Sequence, residues 1–258
     1  MTVSAGRLRG KVAVITGGGS GIGQACALLF AAEGARLALV DRDAEALVQT
    51  RGLLVAEGFE ALLLEGDVGD EATVTRHCAS VMEHFGQIDL LFAGAGFSSG
   101  TSAPDTDLAV WDQVIRASLT GSFLWSRAVL GPMRKAKSGS IILVGSQLAF
   151  AGGRNNAAYL AAKGGVVSLM QSMAVDHAAE GIRVNAVIPG AIDTPLLRRS
   201  FARVADGAAA QARSVARHPL GRLGQPDEVA RAVLFLASHE ASFTTGSCLR
   251  VDGGWLAG

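Results

Sequence analysis

Tyrosine occurs once in these 258 residues, as Tyr159 in the stretch AAYLAAK, and Lys163 follows four positions later. In a helix starting near residue 156, positions four apart project from one face, so the phenol and the ammonium can enter a common site. A phenol with a pKa of ~10 is a poor base at neutral pH, and bringing it to ~7 requires ~4 kcal/mol at ~1.4 per unit. A cation about 4 to 5 Å away at an effective dielectric of ~20 supplies roughly that much. Burial opposes the shift, so a further positive charge beside the phenol would help. The pair reads as a proton donor and acceptor, against the plainer reading of a buried tyrosine above a snorkelling lysine.

A second group of residues is built for phosphate. The stretch TGGGSGIG, residues 16–23, follows an aliphatic run and precedes a helical period. Gly17, Ser20, Gly21, Ile22 and Gly23 would let the backbone turn sharply and approach a pyrophosphate at the positive end of the next helix. Asp41 lies about twenty residues on, where a carboxylate accepts both ribose hydroxyls of NAD and repels the 2'-phosphate of NADP. Arg42, the one basic residue beside it, is expected to turn to the adenine face or to solvent. The competing reading makes the glycines an ordinary loop and Asp41 the N-cap of the following helix.

These groups need a scaffold, and the chain repeats one unit: a short aliphatic run, a turn, then a longer helical period. The runs cover residues 11–16, 36–40, 60–66, 88–94, 140–145, 182–188 and 248–251. Between them, 22–33, 44–57, 72–85 and 227–237 carry apolar residues at helical spacing, and the runs lack in/out alternation, as strands buried on both faces do. The expectation is an α/β fold, a single Rossmann-like domain over 1–258, with a doubly wound seven-stranded parallel sheet and helices on both faces. Residues 194–218, with DGAAAQA inside, read as an insertion forming a lid on the substrate side.

Equal numbers of basic and acidic residues, 23 each, give no electrostatic footprint for nucleic acid or an anionic membrane. No apolar run reaches a bilayer span and no signal-peptide core precedes the glycine loop, so a cytoplasmic protein is expected. Cys26, Cys78 and Cys248 lack any CxxC pairing, and the five histidines are scattered, so neither a disulfide framework nor a metal site is expected. Ser146 lacks a GxSxG surround, which excludes a nucleophile elbow.

The motifs together resemble the classical short-chain dehydrogenases/reductases: TGGGSGIG, GDV at 66–68, Ser146 thirteen residues before Tyr159, YLAAK, NAVIPGAIDTP at 185–195 and the C-terminal TGSCLRVDGGW. The resemblance covers nearly the whole chain. It implies Tyr159 as general acid/base, Ser146 bonding the substrate oxygen, and Lys163 lowering the phenol pKa while holding the nicotinamide ribose. It also implies that Asp67 and Val68 flank the adenine, that Ala93 borders the cofactor, and that Ile192 and Thr194 meet the nicotinamide carboxamide.

Two positions depart from the family pattern. AGAG at 93–96 stands where NNAG is usual, removing amides that tie the central sheet. Ser118, in VIRASLTGSF, stands where the family has a catalytic asparagine that helps hold a water on the path from the lysine to solvent. The expected activity is NAD-dependent interconversion of a secondary alcohol and a ketone. An NAD-binding regulatory or scaffold protein with little turnover is the alternative that Ser118 and AGAG suggest. By resemblance the substrate pocket is walled by Gln147, Leu148, 153–155, Ala191, the segment from Leu196 onward and Phe97. Arg154, Arg198, Arg199 and Arg203 read as a solvated face sooner than an anion site. The apolar helix over 157–179, with the one around 110–129, is expected to pair subunits in a homotetramer of two-fold symmetry.

Overall fold

The structure is a computed structural model that describes residues 6–258. Seven parallel strands form one sheet in the order β3-β2-β1-β4-β5-β6-β7. They are β1 (Val12–Thr16), β2 (Arg36–Asp41), β3 (Ala61–Glu65), β4 (Leu90–Ala93), β5 (Gly139–Val144), β6 (Ile182–Pro189) and β7 (Cys248–Val251). Successive residues of a strand point to opposite faces, and both faces here meet helices. Val12 and Val14 of β1 enter one core with Trp125, Met133 and Met170, while Ala13 and Ile15 enter the other with Phe30, Leu47 and Val233. All five residues of β1 are therefore buried, which is why alternation is missing from its sequence. Each large aliphatic side chain so buried contributes ~1.5–3 kcal/mol relative to exposure.

The first layer holds α3 (Glu71–Phe85), α5 (Gly121–Ala136) and α6 (Ala157–His177). The second holds α1 (Gly21–Ala32), α2 (Ala44–Ala56) and α9 (Pro226–Ala237), numbered with α4 (Leu108–Ile115), α7 (Pro195–Ala202) and α8 (Gly207–Ala216) in chain order. Local chemistry sets several ends. Asp43, Asp70, Thr194 and Asp206 cap α2, α3, α7 and α8 by accepting a first-turn amide. Gly86 ends α3 in the left-handed region at φ 77°, which glycine enters without steric penalty. The helical period expected over 157–179 stops at His177, and a tight turn over Ala178–Glu180 leads to Gly181 at φ 76°.

Strand order reverses direction between β1 and β4, both hydrogen-bonded neighbours in the sheet. The two crossovers leave on opposite faces there, opening a crevice at the carboxyl ends of the strands. The glycine loop, Asp41, Ala93, Ser146 and the turn after β6 all lie at that edge. Among the described residues no helix is long and apolar enough to cross a membrane.

Candidate active site

The glycine loop is held by neighbours that leave no room for side chains. A Cβ on Gly17 would lie 3.0 Å from Ala95 N, and one on Gly19 would lie 2.7 Å from Ala46 Cβ and 3.0 Å from Asp41 Oδ2. Gly21 has φ 54°, and a Cβ there would meet Thr194 Cγ2 at 3.1 Å. Ser20, at the N-cap of α1, makes no side-chain cap bond, in contrast to the four capped helices above. Its helix therefore presents first-turn amides without a side-chain acceptor, as a phosphate cradle does. Asp41 accepts from Gly19 N at 3.1 Å and from Asp43 N at 3.2 Å. The cap of α2 is Asp43, not Asp41, so the carboxylate of Asp41 stands at the mouth of the loop. These features fit a dinucleotide.

On the far side of the crevice, Asp67 accepts from Gly69 N at 2.8 Å and pairs with Arg116 at 3.3 Å. Val68 is buried against Gly121, where a Cβ would come within 2.7 Å of its Cγ2. Ala93 closes β4 and is buried. The tie that AGAG was expected to lack comes from Thr16, whose hydroxyl accepts from Ala95 N at 3.2 Å while its carbonyl accepts from Gly94 N at 3.2 Å. Thr16 opens the TGGGSGIG motif, but nothing in that motif marks its bonds to residues 94 and 95. Arg42 is exposed, and its guanidinium lies over the Phe97 ring, 5.6 Å from the ring centre. Thr194 donates to Ile192 O at 3.2 Å and accepts from Leu197 N at 3.3 Å, so its hydroxyl serves the turn and the cap of α7.

Ser146, Tyr159, Lys163 and Ser118 converge at the carboxyl end of β5. Ser146 follows Val144 and Gly145, and its Oγ accepts from Leu148 N at 3.1 Å. Lys163 is buried, donates from Nζ to Val144 O at 2.7 Å, and lies 5.7 Å from the Tyr159 ring centre. Burial pulls the lysine down to about 8. Tyr159 moves the other way from the sequence expectation: burial pushes its phenol up, and the Ser146 hydroxyl beside it works in the opposite direction. The protein's own atoms thus hold the phenol neutral and the lysine close to titration.

Ser118 sits in a widened π turn, Arg116–Thr120, that joins α4 to α5. Its carbonyl accepts from Ser122 Oγ at 2.8 Å, while its own buried Oγ has no partner. A Cβ on Gly96 would fall 2.9 Å from Ser118 Oγ and 3.6 Å from Lys163 Nζ. The hydroxyl and the ammonium therefore flank one gap. Phe97, Trp111, Ile115 and Leu119 pack with Tyr159 around Ala158 and Ala162, giving the site an apolar wall. Among the described residues no cluster of three metal-ligating side chains occurs.

A family model described as enoyl-(acyl carrier protein) reductase matches residues 17–256. The cis-4-hydroxycyclohexanecarboxylate dehydrogenase of Sinomonas cyclohexanicum is 44% identical over 249 residues, spanning 96% of this chain and 97% of that one. A solved short-chain dehydrogenase/reductase from Burkholderia xenovorans superposes with TM-score 0.95 at 36% identity, covering 98% and 99% of the two chains. The chain is a short-chain dehydrogenase/reductase. A further relative, 2-(S)-hydroxypropyl-CoM dehydrogenase 3 of Xanthobacter autotrophicus, is 38% identical over 97% of this chain and 98% of its own. As a member of this family the protein is an oxidoreductase of CH–OH groups using a nicotinamide cofactor.

Two arginines of the 194–218 segment of this dehydrogenase/reductase have defined partners. Arg198 pairs with Asp193 at 2.7 Å, and Arg203 donates to Ser98 O at 2.6 Å, clasping α7 to the loop after β4. Among the described residues Arg154 and Arg199 form no ion pair with a carboxylate.

Proposed function

We propose that the protein oxidises a secondary alcohol, or reduces the matching ketone, with NAD(H) as the preferred cofactor. The observation that carries this reading is the convergence of Ser146, Tyr159 and Lys163 beside a glycine loop whose mouth holds Asp41. The bound nicotinamide would accept or deliver the hydride at the carbinol carbon. Gly17, Ser20, Gly21, Ile22 and Gly23 hold the pyrophosphate, Asp41 the adenine ribose, Asp67, Val68 and Ala93 the adenine side, and Ile192 and Thr194 the carboxamide side.

Ser146 Oγ orients the reacting oxygen; Tyr159 Oη would take the alcohol proton in oxidation only as the phenolate, after its own proton has left, and as the neutral phenol it would give its proton to the ketone oxygen in reduction. Lys163 Nζ, fixed by Val144 O, supplies the nearby positive charge and a donor for the cofactor ribose. Partial enclosure by Phe97, Trp111 and Leu119 keeps water from the phenol. The names of the relatives support a CH–OH carbon, and the 4-hydroxycyclohexanecarboxylate in the name of one of them carries a carboxylate. Arg154, exposed in the segment that the family resemblance puts at the pocket wall and without an ion pair to a carboxylate among the described residues, is the group that such an anion would meet.

The test follows NADH and NADPH absorbance over a panel of secondary alcohols and ketones, with and without a carboxylate. Turnover favouring NAD(H), with Asp41→Ser narrowing the preference by improving NADP(H) use, is expected. Equal efficiency with both cofactors in the unmodified protein would sink the assignment of Asp41. Binding of NADH without any turnover would favour a regulatory or scaffold role.

A further inference from the structure

We propose that His218 is a positioning residue that locks the turn carrying Ala191 and Ile192, so that affinity for the nicotinamide cofactor depends on its ring. This rests on the cofactor reading above. His218 follows α8 and is 4% exposed. Its Nδ1 lies 2.7 Å from Ser214 O. A carbonyl only accepts, so Nδ1 carries the proton and Nε2 holds a lone pair. Nε2 stands 3.2 Å from Ala191 N, whose N–H it accepts. A single neutral tautomer satisfies both partners, one on the outer segment and one on the turn after β6.

The turn has little other support of this kind. Gly190 N bonds Val251 O at 2.9 Å, and Asp193 N bonds Gly224 O at 2.9 Å, both to backbone. Ala191 N is the amide in that stretch that relies on a side chain. Space around it is also taken: a Cβ on Gly190 would meet Asp252 Cα at 2.8 Å, His218 Nε2 at 2.9 Å and Gln147 Oε1 at 3.0 Å. Gln147 follows Ser146 directly, and its Oε1 is buried without a partner. Loss of the imidazole would thus leave a buried N–H unpaired in a place where no other acceptor has formed a bond to it, a costly arrangement.

The placement has a geometric consequence. Residues 194–218 begin at Thr194, which caps α7 and touches the glycine loop, and end at His218, which grips Ala191. Both ends of the outer segment are pinned to one turn. A displacement of α8 is therefore passed through the ring to the backbone next to Ile192, on which the carboxamide side of the cofactor depends.

The test is NADH binding by fluorescence titration, which needs no turnover, together with steady-state kinetics. His218→Leu is expected to weaken NADH binding by ~5- to 100-fold, the loss of one buried hydrogen bond, and to raise the KM for the cofactor far more than it lowers kcat. His218→Gln, whose amide offers an acceptor and a donor as the imidazole does, should recover most of that loss. Equal NADH affinity in His218→Leu and the unmodified protein would overturn the proposal, and so would a His218→Gln variant as weak as His218→Leu. Should His218→Leu not fold, protein labelled with ¹⁵N-histidine decides: an Nδ1–H tautomer whose Nε2 shift moves on saturation with NADH supports the proposal. An Nε2–H tautomer, or an Nε2 shift blind to NADH, refutes it. An unmodified protein that binds neither NADH nor NADPH would remove the cofactor reading itself.

Discussion

At neutral pH the Lys163 ammonium occupies a site where burial disfavours its charge, with one carbonyl, Val144 O, as its recorded acceptor. Burial brings its folded pKa to about 8, below the ordinary lysine value of 10.5. Between those values the unfolded chain holds a proton that the folded chain has released, so stability rises with pH across that window and the penalty is fully present below it. Lys163→Met removes the charge and keeps the stem. Melting curves from pH 7 to pH 10 should therefore show the unmodified protein gaining stability relative to this variant as pH rises. A pH-independent difference would mean that the lysine is not the desolvated group described here. Tyr159→Phe makes a complementary test at the same spot. Ring volume is preserved, so the fold and NADH binding should persist while turnover falls by ~10² to 10⁴ fold, the usual share of general acid/base catalysis. Unaltered turnover would transfer the proton to another group.

The element that brings Ser118 to Lys163 is the π turn between α4 and α5, and its chemistry is unfinished. Ser122 satisfies the Ser118 carbonyl, yet the Ser118 hydroxyl faces the gap near Lys163 with no partner. A longer side chain with an amide would reach further into that gap. We expect Ser118→Asn to raise turnover and Ser118→Ala to change it little, both measured with NADH under saturating substrate. A fall in rate on Ser118→Asn would show that the site is already complete or too crowded. Such a turn is hard to see in sequence because VIRASLTGSF keeps an unbroken helical period through it. The strands are the opposite case: runs such as VAVIT and SIILV are apolar throughout because both faces of the sheet are covered, so their existence was readable. The placement of Asp41 beside the glycine loop and of Tyr159 and Lys163 on one helix was legible through spacing, and that of Ser146 through its distance from Tyr159 in the family pattern. Thr16 and His218 were not, because their roles depend on Ala95, Ala191 and Ser214, partners that only the folded chain brings near. The direction of the Tyr159 shift was missed for a related reason: spacing reveals the cation but not how much protein surrounds the phenol.

At the scale of the whole molecule, α6 has one face on the sheet and another uncovered. Val166, Met170, Met173 and Ala174 are buried, whereas Ala161, Ser168, Ser172 and Val175 lie exposed along the other side at spacings of three, four and seven. Val175 is 81% exposed, and Phe123 on the neighbouring α5 is 42% exposed. This helical face is built mostly of small side chains, with Asp176 accepting from Ser172 at 3.3 Å as the charge beside them; small side chains let a second helix approach closely, and a two-fold axis would set α6 against its own copy with α5 alongside. Leaving such a face in water is unfavourable in proportion to its apolar area. This face is therefore expected to pair two subunits at micromolar concentration, within the homotetramer that the family resemblance implies. Ser168→Glu places like charges across the axis, where they repel without disturbing the buried side of α6, so this variant should sediment as a smaller species and melt at a lower temperature. A stable monomer in the unmodified protein would mean that the small-residue face of α6 is a surface and not a seam.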